Sequence, residues 1–215
     1  MNNSKLFSCA TCGVMACSHD ARDKYPDECV SKNIDQSLVD QALDLYKSDP
    51  AIESLARDVA RIEKEFYCKY TRVEETIELI LRQKYSLVGV ATCIGLLREC
   101  SIFCRILEKR GINYLAVGCK VGAIDKEFLG LGKDEKLHPE FEHESMCNPA
   151  LQALYLNTKG TQFNVVMGLC PGHDAIFLHY IEAPTTVMIV KDRVLAHNPA
   201  AALYTLNSYY ERIKA

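Results

Sequence analysis

Eleven of the 215 residues are cysteines, and their placement sorts them by the chemistry they could perform. Cys9, Cys12, Cys17 and Cys29 stand near the N-terminus in the spacing C-x2-C-x4-C-x11-C. A C-x2-C turn lets two thiolates converge on one ion, and two more complete a tetrahedron of soft ligands. Zinc suits that set. An iron–sulfur cluster can use the same four thiolates, and spacing alone does not separate the two. His19 offers an alternative fourth ligand. The contrasting reading is four unligated thiols on a polar tail. Residues 1–33 have no helical or strand periodicity and few groups for a core, so a bound metal would supply the folding free energy they lack.

A second set of cysteines follows short apolar runs. Thr92-Cys93, Cys119-Lys120 and Cys170-Pro171-Gly172-His173-Asp174 each sit just past a candidate strand. A thiol immediately before a helix has its thiolate favoured by the positive helix terminus, and Cys93 and Cys170 both hold such positions. His173, three residues after Cys170, is placed to act as general base or metal ligand, with Asp174 beside it. Cys93, Cys119 and Cys170 are therefore candidate catalytic residues together with His173 and Asp174; a second metal or cluster site is an alternative use of the three sulfurs. Cysteine is also among the most buried residue types, and any one of these could be a small core residue. Cys100 and Cys104, at helical spacing, read as packing residues, as does Cys68. His138, His143 and His179 read as solvated. Asp192, Arg193 and His197 suit either an anion site or a surface ion-pair network. Cys147 either closes over the crevice or anchors its loop.

The elements that must position these groups can be traced from periodicity. Residues 35–47 place Leu38, Ala42, Leu45 and Tyr46 on one helical face. Asp49-Pro50 starts a second helix, with Asp as cap and Pro in its first turn. Thr71-Arg72-Val73-Glu74 is a capping box opening a third, with Val73, Ile77, Ile80 and Leu81 expected inward. After Tyr85 the pattern changes to strands at 86–92, 112–119, 161–169 and 184–190. Helices at about 94–110, 149–157, 173–182 and 199–213 alternate with them, the first stopped by Gly111. This predicts an α/β fold: a four-stranded, mostly parallel, doubly wound sheet with N-terminal helices and a small Cys-rich segment. Residues 1–33 form the expected metal-binding segment and 34–215 the α/β domain with its helical start. In a strand order 2-1-3-4, the crevice opens between the first and third strands, flanked by Cys93 and Cys170. Residues 120–147 form a connection too long for an ordinary loop, which marks it as a functional lid or a disordered stretch.

Composition narrows the function classes. A formal charge of −3 and a pI near 6.1 give no support for a nucleic-acid partner. No apolar run is long enough to span a membrane, and the N-terminus lacks a secretory apolar region, so a cytoplasmic location is expected. In a reducing compartment clustered cysteines point to metal or chemistry rather than disulfides. No G-x-G-x-x-G follows the first strand and no Walker motif is present, which disfavours nucleotides. Three classes remain: an enzyme acting on a small molecule under the 120–147 lid, a metal or cluster protein for electron transfer, sulfur handling or sensing, and a binding module with structural zinc.

The N-terminal cysteines, with GLCPGHDAIF, VKDRVLAHNPAAALY, CKVGAIDK and the Cys147–Pro149 CNP, resemble the bacterial and archaeal proteins called domain of unknown function 1847. The resemblance covers nearly the whole chain. It implies zinc at Cys9, Cys12, Cys17 and Cys29, and it supplies no reaction. Pro171 departs from the pattern, where valine or a similar residue is expected.

Overall fold

A computed structural model of the chain describes residues 8–214. It divides into two compact units, one up to Val59 and one from Ala60 on.

In the first unit, short 3-10 turns at Ala16–His19 and Arg22–Lys24 lead to a single-turn helix α1 (Val30–Asn33) and then α2 (Gln36–Ser48). The Asp35 carboxylate caps α2 by accepting from the Ser37 amide at 2.8 Å. The next helix, α3 (Pro50–Phe66), begins in this unit and ends in the second; it starts at the expected Asp-Pro step, where Asp49 accepts from the amides of Ala51 and Ile52. The expected apolar face of α2 is a correction: Leu38, Leu45 and Tyr46 are exposed and α2 buries no residue.

The second unit holds the sheet. Helix α4 (Arg72–Arg82) opens with the expected box, Thr71 N–H to Glu74 Oε2 at 2.8 Å and Glu74 N–H to Thr71 Oγ1 at 3.4 Å. Ile77 and Ile80 are buried, whereas Leu81 is exposed because it flanks the buried stripe rather than joining it. Cys68, expected to pack, is exposed in the tight turn between α3 and α4. The strands are β1 (Val88–Thr92), β2 (Tyr114–Gly118), β3 (Phe163–Met167) and β4 (Thr185–Ile189), all parallel in the order β2-β1-β3-β4. The helices between them are α5 (Leu97–Lys109), α6 (Pro149–Thr158) and α7 (His173–Tyr180).

Strand alternation divides the core in two. Val88, Val90, Phe163, Val165 and Met167 pack with α4 and α5 through Ile80, Phe103 and Leu107. Ala91, Val117 and Val166 pack with α6 and α7 through Leu156 and Phe177. The sheet is therefore covered on both faces, which is why β1 and β3 are buried throughout and read as unbroken apolar runs. The last expected helix, 199–213, is shorter: α8 spans Ala200–Tyr204, and a 3-10 turn covers Glu211–Lys214. Hydroxyls explain the stop. Thr205 Oγ1 donates to the Ala201 carbonyl and Ser208 Oγ to the Thr205 carbonyl, offering the backbone an alternative to helix. Among the described residues no helix is long and apolar enough to cross a membrane.

A candidate thiol site at the carboxyl edge of the sheet

All four strands end on one edge, and Cys93, Cys119, Cys170 and Lys191 emerge there. The first and last belong to strands that are not neighbours, because β3 lies between β1 and β4. They meet across its end. Gly168, directly after β3, has φ +73, and a Cβ there would lie 2.1 Å from Leu96 Cδ1. The missing side chain lets the segment after β1 fold over β3, and the left-handed backbone turns the chain away. Lys191 Nζ then reaches Cys93 Sγ at 2.5 Å.

Cys93 also accepts from the Gly95 amide at 3.5 Å. Burial pushes its thiol up, but the Lys191 ammonium and the Gly95 N–H outweigh burial, and the net shift is below the ordinary value. Burial works likewise against the charge on Lys191, and the contact with Cys93 overcomes it, leaving the ammonium harder to deprotonate. Both shifts favour the thiolate–ammonium form of the pair. Cys93 is 4% exposed, yet it lies beside the half-buried Lys191 and the exposed Gly95. A Cβ on Gly95 would stand 3.6 Å from Lys191 Nζ and 3.9 Å from Cys93 Sγ. The absent side chain leaves open the space beside the pair.

Cys119 continues the cluster inward. Its sulfur accepts from the Ile94 amide at 3.5 Å and lies 3.7 Å from Cys147 Sγ. Ile94 directly follows Cys93, so the Cys119 sulfur lies against the backbone beside Cys93. Burial, with the charges of Cys147 and Cys93, pushes its thiol up to about 12. The buried Gln152 of α6 braces this end of the sheet by donating to the Val117 carbonyl at 2.7 Å and to that of Thr92 at 3.1 Å.

Cys170 is the partly exposed member. Arg193 Nη2 donates to its sulfur at 3.1 Å. His173, expected to serve as its base, instead contacts it through the backbone, His173 N–H to the Cys170 carbonyl at 2.9 Å. Burial, with Lys120, Arg193 and Lys191 nearby, holds the His173 imidazole below its ordinary value despite Asp174, so it is neutral near pH 7. The edge thus collects three cationic side chains. Asp192 is occupied locally, accepting from the amides of Val194 and Leu195, while its own N–H donates to His197 Nδ1.

The 120–147 connection is ordered and closed on itself. Asn148 N–H donates to the Cys119 carbonyl at 2.7 Å, so its two ends touch. Within it, Asp125 accepts from the amides of Glu127 and Glu144 and pairs with Lys136, whose side chain is 1% exposed. These contacts hold the Asp125 carboxyl well below the usual carboxylate range. Lys120 Nζ donates to the Ser145 carbonyl, drawing the loop's far limb to the strand end.

The N-terminal cysteines are arranged differently. Cys12 N–H donates to the Cys9 carbonyl at 3.2 Å, closing the C-x2-C turn, and the amides of Met15 and Val14 hold the Cys12 thiol below its ordinary value. Cys9, Cys12 and Cys17 are exposed and Cys29 half-buried. Burial, then the Asp20 carboxylate and the neighbouring Cys17 and Cys29, push the Tyr25 hydroxyl up. Among the described residues no three Cys, His, Asp or Glu side chains gather into a group that could hold a metal ion.

Sequence reasoning placed Cys93, Cys119 and Cys170 on one edge, and the structure brings the first two together with Cys147. It missed Lys191 as the partner of Cys93. The available signal was its position directly after β4, since every residue just past a parallel strand emerges at the same edge.

The fold and site together define a doubly wound α/β chain with a basic, cysteine-lined edge. The chain belongs to the family described as Protein of unknown function (DUF1847), whose model matches residues 29–188. It is 41% identical over 204 residues to an uncharacterized protein of Methanocaldococcus jannaschii, covering 95% of this chain and 96% of that one. No solved structure matches. The family match includes Cys93, Cys119, Cys147, Cys170 and His173, and begins at Cys29.

Proposed function

We propose that this protein binds a small electrophilic molecule at the carboxyl edge of its sheet and attacks it through Cys93, and that it carries a zinc ion on Cys9, Cys12, Cys17 and Cys29. The 2.5 Å contact between Lys191 Nζ and Cys93 Sγ carries the first part. A thiolate is the nucleophilic form of cysteine, and a neighbouring ammonium favours it near neutral pH. Lys120, Lys191 and Arg193 favour a ligand with negative charge, against Asp174 and the locally hydrogen-bonded Asp192. His173, neutral and beside them, is available as a base.

The measurement is alkylation of the intact protein by iodoacetamide across pH, with the modified residue identified by peptide mapping. Cys93 should react as a thiolate with an apparent pKa below the unperturbed value of about 8.5. A midpoint at or above that value removes the nucleophile.

The zinc rests on donor chemistry. Four thiols lie in a short segment with the C-x2-C turn already closed, and amides favour the thiolate of Cys12. Zinc would draw these four together and stabilise a stretch with almost no core of its own, where Ala16 is the one buried apolar residue among described residues 8–33.

A further inference from the structure

We propose that Cys93, Cys119 and Cys147 form a three-thiol relay that reduces a hydroperoxide and ends in a disulfide between Cys119 and Cys147. The proposal rests on the reading of Cys93 as a nucleophile and names an oxidant for it. Its basis is the line of sulfurs leading from Lys191: Cys93, then Cys119, whose sulfur accepts at 3.5 Å from the amide of Ile94, the residue directly after Cys93, then Cys147 at 3.7 Å from Cys119. These sulfurs do not form a metal-holding group among the described residues. A sulfur–sulfur bond is about 2.05 Å, so Cys119 and Cys147 must close by about 1.7 Å, within the reach of side-chain rotation. Their backbones are already joined by the Asn148 N–H to Cys119 carbonyl bond.

The chemistry balances as follows. The Cys93 thiolate attacks one oxygen of the hydroperoxide and the O–O bond breaks. The leaving alkoxide takes a proton from solvent and departs as alcohol, or as water when the oxidant is hydrogen peroxide, leaving Cys93 as a sulfenic acid. The Cys119 thiol condenses with it; an S–S bond forms, the S–O bond breaks, and the thiol proton leaves with the hydroxyl as water. Cys147 then attacks the Cys119 sulfur, loses its proton to solvent, and expels Cys93 as a thiolate. Attack runs in that direction because the more acidic thiol is the better leaving group, and Lys191 stabilises departing Cys93. Two equivalents of an external thiol reduce the final disulfide through Cys147, its half-buried and therefore accessible end.

Hydrogen peroxide, the smallest hydroperoxide, is the probe. The reduced full-length protein is treated with one equivalent, quenched with N-ethylmaleimide at intervals, and mapped without reduction. The expected order is a Cys93–Cys119 disulfide first and Cys119–Cys147 later, with Cys93 again free. Cys147→Ser should stop at Cys93–Cys119, and Cys93→Ser should form Cys119–Cys147 at least tenfold more slowly. The wild-type time course stands even if a variant folds poorly. Oxidation confined to the N-terminal cysteines overturns the relay, as does Cys93 oxidised while Cys119 and Cys147 remain free. If Cys93 alkylates as a thiolate yet no disulfide appears, the relay falls and the nucleophile stands.

Discussion

The two groups of cysteines are organised by opposite means. At the sheet edge the fold does the work. Parallel strands deliver thiols to one place, helices bury them, and Lys191, Arg193 and backbone amides meet their sulfurs. In the N-terminal segment the thiols are mostly exposed, and only the local C-x2-C turn is set by the chain. A core-built site is preorganised before anything binds, whereas a core-poor segment depends on its ligand for its shape. The difference teaches that cysteine spacing is informative where the chain is irregular, while cysteine position relative to strands is informative where it is regular.

The comparison can be broken most directly at the N-terminus. Replacing Cys9 and Cys12 by serine should take bound zinc from about one per chain to none and expose residues 8–33 to protease. Alkylation of Cys93 should be unchanged. Metal content by mass spectrometry and limited proteolysis check this, and zinc retained in the double variant would remove the four-thiolate assignment.

The second effect is at the sheet edge. Lys191→Met removes the ammonium from Cys93, leaving burial to dominate, and the thiol should move upward. Hydrogen bonds to charged groups are worth roughly 1.5–3 kcal/mol, so alkylation near pH 7 should fall by about tenfold or more. The sign is fixed by the pairing: the lowered thiol pKa is present only with the cation, so the rate profile shifts to higher pH without it. An unchanged profile would show that Lys191 does not set the reactivity. Zinc content should not respond.

The smallest change sharpens the point about access. Gly95→Ala adds a methyl at ordinary contact distance from Lys191 and Cys93, without a clash. Alkylation should slow by about two- to fivefold, with thermal stability unaltered. A faster rate would place the approach elsewhere.

Much of this architecture was legible beforehand because strong local signals agreed with it. The runs at β1 and β3 are apolar because both faces are covered, and Thr71 with Glu74 announces α4 through a bond that depends on three residues' spacing. Legibility failed where a neighbour decided the outcome. Leu81 satisfies the helical period but flanks the buried stripe, and the hydroxyls of Thr205 and Ser208 end α8 against its pattern. The candidate site shows the same division. Residues just past strands could be placed on one edge, but the choice of Lys191 for Cys93, across the end of β3, and of Arg193 for Cys170, between neighbouring strands, depends on side-chain reach, which no periodicity encodes. The closing of the 120–147 loop around Asp125 likewise joins positions linked by neither period nor motif.

That loop leaves β2 and returns to α6 at almost the same point, where the Asn148 amide meets the Cys119 carbonyl. A segment whose ends coincide can be lengthened, shortened or exchanged without moving the strand before it or the helix after it. Relatives of this chain could therefore inherit the same thiol-bearing edge and diverge in the loop beside it. Novelty in what they bind would then arise by swapping one self-contained ring of chain, with the sheet inherited intact.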